Sequence, residues 1–381
     1  MHILTFLTAA AVILISCKID NDGQTRTDDP EADYFRDYES YGGKWGFIDS
    51  AGNVVIPARY DLVSGFREGL APVNDGGRWG YIDPNGDVLI PCTYRAAWQF
   101  HEGIGRVIRF DGTPCMIFRD GRTICPEDVV EIGDFSEGLA TFQRADGYGY
   151  FDTSGTVAIE PGFEAAWSFH DGTARVSVHG KQGLINRRGE FIVKAEYRHI
   201  YTPSSNMILV RGEDGYMFLT PAGDRVGQVY QHATPYVDSV AAVADASGWF
   251  LINLREQPLH PERYSNLRYA GAHRWIARQG SLLGILDHEA RPITHLKYQQ
   301  INNFSEGYAG YLRDGLWGFI DSSGTEITPA QFGLVWDFHN RRARAAFRNG
   351  IAFITPDGEI PFRPEYSDVR DFSEAFAPYQ E

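Results

Sequence analysis

The chain has 381 residues, with 35 Lys and Arg against 50 Asp and Glu, for a formal net charge of −15. That excess of negative charge argues against nucleic acid or anionic lipid headgroups as partners. About 350 residues beyond the N-terminal segment would ordinarily divide into two or three globular domains, unless they form repeats.

Met1 to Ser16 reads as a segment outside the fold. Ile3 to Ile15 is an apolar run too short for a stable transmembrane helix, and it ends in Leu14-Ile15-Ser16-Cys17. The pattern resembles a bacterial lipoprotein signal peptide, with residues 1–16 removed and Cys17 lipidated. The n-region departs from that pattern, because it carries His2 but no Lys or Arg. Lys18 after the cysteine implies, by the same resemblance, an outer-membrane destination. An ordinary secretory leader with a chance cysteine is the alternative.

Residues 17–32 are polar and acidic, with Asp20, Asp22, Asp28, Asp29 and Glu31. Such a stretch buries little apolar surface and reads as a flexible tether. Its acidity also resembles the surface-export signals of some bacterial lipoproteins. The leader contains no Lys, Arg, Asp or Glu, so the charge of −15 belongs entirely to residues 17–381.

From Asp33 to Glu381 the chain repeats itself. Gly77 to Pro91 shows the unit: Trp79-Gly80-Tyr81-Ile82 and Val88-Leu89-Ile90 are strand formers, joined by the turn Asp83-Pro84-Asn85-Gly86. The position of Gly80 recurs at Gly46, Met116, Gly149, Gly183, Met217, Phe250, Gly284, Gly318 and Ala352, about 34 residues apart. Each of the ten units has a further strand before the hairpin, such as Leu70-Ala71-Pro72-Val73, preceded by a turn such as Phe66-Arg67-Glu68-Gly69. No sustained helical period occurs. The fold class expected is all-β, in tandem antiparallel meanders. One meander cannot hold a core alone, so neighbours must share one.

Lys44-Trp45-Gly46-Phe47-Ile48-Asp49, Trp79-Gly80-Tyr81-Ile82-Asp83 and Trp317-Gly318-Phe319-Ile320-Asp321 carry a resemblance to the WG-repeat family of bacterial proteins. Cys115-Met116, Tyr216-Met217, Trp249-Phe250 and Ile351-Ala352 depart from it. The resemblance implies binding or interaction modules without a general catalytic motif. Trp45, Trp79 and Trp317 read as core plates, with a ligand-stacking ladder as the alternative.

Two closures fit the repeat. An open superhelical solenoid is the main reading; a closed β-propeller ring is the alternative. Ala375 to Tyr379 is a strand in want of a partner, which favours closure, but Arg36 to Tyr41 offers the first hairpin a strand of its own.

No catalytic constellation stands out, and no cofactor or metal motif is present. Asp49, Asp83, Asp152, Asp287 and Asp321 recur at a hairpin end, all but Asp287 three residues before a Gly, and Asn186, Thr220 and Thr355 fill the same slot, so they read as turn residues. Cys115 and Cys125 flank a hairpin; they either form a disulfide in an oxidising compartment or leave Cys125 as a small buried hydrophobe. Trp98, Trp167 and Trp336 share one repeat position, each with a His three residues on: His101, His170 and His339. Ser64, Gly133, Asn302 and Arg370 fill the same position elsewhere, which suggests a partly exposed edge for stacking sugars or anchoring a peptide. The opposing reading folds these Trp back over the junction between units. The functional expectation is a non-catalytic, lipid-anchored binding protein of the cell envelope, with a protein or glycan partner. A glycan-active propeller enzyme and a structural scaffold are the other classes.

Overall fold

A computed structural model describes residues 43–347, 350–361 and 368–380. The proposed leader, Cys17, the tether and Arg36 to Tyr41 lie outside the described residues.

One blade shows how the sequence becomes a sheet. Its four antiparallel strands are Leu62–Val63, Ala71–Asp75, Arg78–Ile82 and Val88–Tyr94, in that spatial order. The second and third strands are buried in runs, Ala71 to Asn74 and Trp79 to Ile82, because a neighbouring sheet covers each face. The fourth strand exposes Val88 and Leu89 and buries Ile90, as an edge strand with one covered face does.

The glycine of the Trp-Gly pair has a steric cause. Trp79 pairs with Tyr94 and Tyr81 with Ile90, so the fourth strand bulges across Gly80. A Cβ on Gly80 would stand 2.5 Å from the Ile90 carbonyl oxygen, and one on Gly46 would stand 2.3 Å from that of Ile56. At the other end of the hairpin, Asp83 Oδ1 accepts from the amides of Asn85 and Asp87, both at 2.9 Å. Asp49, Asp152, Asp287 and Asp321 make the same pair of bonds, as does Asn186. The recurring acids are turn residues.

Ten antiparallel sheets succeed one another, six of four strands and four of three. Nine are consecutive in the chain: residues 62–94, 96–124, 131–163, 165–197, 199–230, 232–253, 266–286, 300–321 and 334–354, called blades one to nine. Blade ten is composite. Asp368–Val369 and Phe376–Gln380 from the C-terminal end pair with Trp45–Asp49 and Val54–Tyr60 from the other. Its central register runs from Trp45 opposite Gln380 to Asp49 opposite Phe376. The solenoid reading is therefore corrected: the array is a closed ring of ten propeller-like blades. The vacancy beside the first hairpin is filled by the Ala375–Tyr379 segment.

Cores lie between blades. Leu70, Trp79, Tyr81 and Ile90 of blade one pack with Ala97, Phe100, Val107 and Ile117 of blade two. Both flanks of blade ten are packed the same way: Trp45, Phe47 and Ile56 against Val63, Phe66 and Val73, and Ile48 and Tyr379 against Phe353. Tyr81 meets Phe100 edge-on at 5.1 Å between blades one and two, and Tyr150 meets Phe169 at 4.9 Å between blades three and four. Of the Trp-Gly tryptophans, Trp45 and Trp79 are buried, whereas Trp317 is half-buried beside its core.

A second device links blades through their tight turns. Glu68, Glu102, Glu137, Glu306 and Glu374 all have positive φ and lead two-residue turns. Glu68 accepts from the amides of Glu102 and Gly103, and Glu102 from those of Glu137 and Gly138. Glu374 accepts from the amide of Gly69 at 2.8 Å, which carries the belt across the closure. Cys115 and Cys125 are joined in a disulfide across blade two.

Candidate functional site

Trp98, Trp167 and Trp336 are half-buried, each beneath an arginine of the adjacent strand. The Arg106, Arg175 and Arg344 guanidinium carbons lie 4.8, 4.7 and 4.5 Å from the respective ring centres. Each arginine then reaches the next blade. Arg106 donates to the Ile132 carbonyl at 2.8 Å and to Asp134 at 2.6 Å; Arg344 donates to the Val369 carbonyl and Asp371 likewise. Arg175 donates to the Ile200 carbonyl at 3.2 Å. These tryptophans cap clamps between blades, as the opposing reading has it, and keep one partly exposed face.

The clamp has a substitute. Arg268 occupies the Trp98 position of blade seven and donates to the Ile301 carbonyl and to Asn303, the counterparts of Ile132 and Asp134. Spacing carried a signal that the tryptophans alone did not: Trp98, Trp167 and Trp336 each precede an arginine by eight residues.

The histidines part company. His101 is half-buried, 3.3 Å from Asp134, and burial holds its pKa below the usual imidazole range despite that carboxylate. His170 and His339 are exposed. The three Trp-His pairs stand in blades two, four and nine, so the closed ring disperses them; Trp167 and Trp336 are five blades apart.

A different place gathers functional groups. Blade six, the segments entering and leaving it, and Gln279 of blade seven line an open cleft of about 380 Å³, with Gln231, His232, Asp245, Ser247 and Trp249 among its walls. The exposed His232 ring lies nearly parallel to half-buried Trp249, with centroids 5.7 Å apart at 16°. Arg263 also lines the cleft, its guanidinium 3.8 Å from the Phe250 ring centre.

Local chemistry explains why the cleft is here. In blades one, four and eight, Asp61, Glu164 and Gln299 reach the hairpin amides of Gly76, Gly180 and Gly315. In blade six Asp245 takes that task within the hairpin, accepting from the Ser247 amide at 2.7 Å and the Ser247 hydroxyl at 2.5 Å. Those bonds, the hydroxyl first, hold its carboxyl below the usual range, so it is an anion. Gln231, at the position of Asp61, is left to line the cleft. An aromatic platform ringed by an amide, a carboxylate and hydroxyls suits a sugar ring, whose apolar face stacks while its edge hydrogen-bonds. No sequence pattern pointed to it: Trp249-Phe250 registers only as a departure from the Trp-Gly pair.

The WG containing repeat model matches residues 45–79, 79–108, 148–181, 183–216, 284–317 and 317–350. No curated protein matches the chain. Similar solved structures include the computationally designed Ika8 protein, at 11% identity over 69% of this chain and 96% of that one, with a TM-score of 0.35. BamB from Moraxella catarrhalis is 13% identical over 74% and 95%, with a TM-score of 0.36. A eukaryotic initiation factor is 9% identical over 74% and 94%, with a TM-score of 0.42. None of the three lends this chain an activity.

Proposed function

Since the chain belongs to the WG-containing repeat family, we propose that it is a non-catalytic binding protein of the cell envelope, anchored through a lipid on Cys17, and that its partner is a glycan. The cleft of blade six carries this reading. It pairs the His232–Trp249 stack with Gln231, Asp245 and Ser247 at the rim. The anchor rests on the apolar Ile3 to Ile15 run ending at Cys17, with an outer-membrane destination.

Intrinsic tryptophan fluorescence and calorimetry with a panel of neutral and acidic oligosaccharides test the ligand. Trp249→Ala and Gln231→Ala weaken binding at least tenfold, while Trp167→Ala leaves it intact. Undiminished binding in folded Trp249→Ala, or no saccharide binding by the native protein, would end the reading. Cys17→Ser should move the protein from the membrane fraction to the soluble fraction and abolish labelling with a fatty-acid precursor.

A further inference from the structure

At the junction of blades six and seven the carboxylate belt changes character. The position that holds Glu68 and Glu102 elsewhere is Asp238 in blade six, one methylene shorter, and Ala272 in blade seven. Asp238 does not cap amides as Glu68 does. Its Oδ2 faces His273 Nδ1 at 2.6 Å. His288, in the Asp287–Ala290 turn, brings a second imidazole, and its ring meets that of His273 edge-on at 6.2 Å. His288 Nδ1 is shielded from solvent and has no hydrogen-bond partner. One donor atom from each of Asp238, His273 and His288 lies within 4.8 Å of the other two.

We propose that Asp238, His273 and His288 form a binding site for Zn²⁺ that clasps blade six to blade seven. Two imidazoles and one carboxylate are ligands that this borderline cation favours, and water completes the tetrahedron. Zinc bonds of about 2.0–2.1 Å set ligand atoms roughly 3.4 Å apart, so no separation need close by more than about 1.5 Å. Asp238 and His273 are exposed and sit in turns, so their side chains can rotate to do so. The cation would supply the unpartnered His288 nitrogen with a bond and replace the amide link to blade seven that Asp238, one methylene shorter than Glu68, does not make. It sits at the turn that begins the strand Val240–Asp245, while the cleft lies at that strand's other end.

Three neighbours bear on affinity. Asp287 carries the His288 turn and is engaged with Arg291 at 2.8 Å; Glu289 pairs with the same arginine; Arg274 donates to the Ser322 carbonyl. The paired charges leave Asp238 as the ligand that offsets the cation.

The full-length protein, stripped with chelator and dialysed against Zn²⁺, is read by elemental analysis and calorimetry. The expected result is one Zn²⁺ per chain and a thermal midpoint that rises with Zn²⁺. Co²⁺ should give the visible absorption of a tetrahedral site. His273→Ala and His288→Asn each weaken binding at least tenfold, and His170→Ala does not. Less than a tenth of a Zn²⁺ per chain, or unchanged binding in both His273→Ala and His288→Asn, overturns the proposal. Because His288→Asn keeps a polar group in its turn, circular dichroism of that variant separates lost ligation from lost folding.

Discussion

Tyr379→Ala tests the closure of the ring. Tyr379 is 1% exposed and lies opposite Gly46, at the far end of the sequence, and its hydroxyl accepts from the Ala58 amide at 3.0 Å. Truncation removes about 150 Å² of buried surface, which at ~25 cal/mol per Å² is worth about 4 kcal/mol. That lies within the ~3–5 kcal/mol measured for large aromatic truncations in cores. Hydrogen exchange read by mass spectrometry localises the effect. Residues 45–49 and 376–380 should lose protection together, by up to about a thousandfold, since ~1.4 kcal/mol corresponds to a factor of ten. Residues 208–211, across the ring, should lose less. Tyr379→Phe removes the acceptor for Ala58 and should cost about 1 kcal/mol. If 376–380 exchanges faster while 45–49 keeps native protection, the two ends are not one sheet and the ring argument fails.

Other outcomes rest on the same geometry. Gly80→Ala, whose Cβ would lie 2.5 Å from backbone at Ile90, should destabilise by about 3 kcal/mol in chemical denaturation, because a backbone clash forces the strand to shift. Arg106→Ala strips the Ile132 carbonyl and Asp134 of a shared donor; a loss of about 2–3 kcal/mol is expected, with Arg106→Lys recovering only part, since one ammonium cannot fork to both acceptors. Glu326 meets Lys297, Tyr298, Tyr311 and Arg313, and although burial opposes its ionisation these partners hold its carboxyl down to about 2. Its contribution is thus full above the ordinary carboxylate pKa near 4.5 and fades as pH falls toward 2; with solvent screening allowed for it amounts to about 1 kcal/mol. Glu326→Gln should flatten the acid limb of a thermal-stability profile over that window and leave pH 7–8 unaffected in shape.

Local chemistry was legible because it repeats. The Asp83-type turn, the bulge-crossing glycine and the Phe-x-Glu-Gly turn each follow from a few adjacent residues. Closure was not, because Gly46 and Tyr379 are neighbours only after ten blades have turned full circle, and the choice between Arg36–Tyr41 and Ala375–Tyr379 for one vacant edge has no local answer. The Trp98 position was misleading for a different reason. Small and polar substitutes there, Ser64 and Gly133, face Pro72 and Thr141 rather than an arginine, so the position alters together with its cross-strand partner instead of marking open surface. His273 and His288 belong to different turns of one blade, and Asp238 to the blade before. Nothing in their spacing announces that they meet.

The interlocked blade also bears on how such an array changes over generations. Its two halves come from opposite ends of the chain, yet it presents to each neighbour the same faces that an uninterrupted blade would. Recombination that adds or deletes one whole repeat would therefore leave the seam's own pairing untouched. Copy number answers instead to curvature, to how sharply each junction turns the next. Side chains at the junctions, from Phe100 against Tyr81 to the arginine clamps, are where that turn is set.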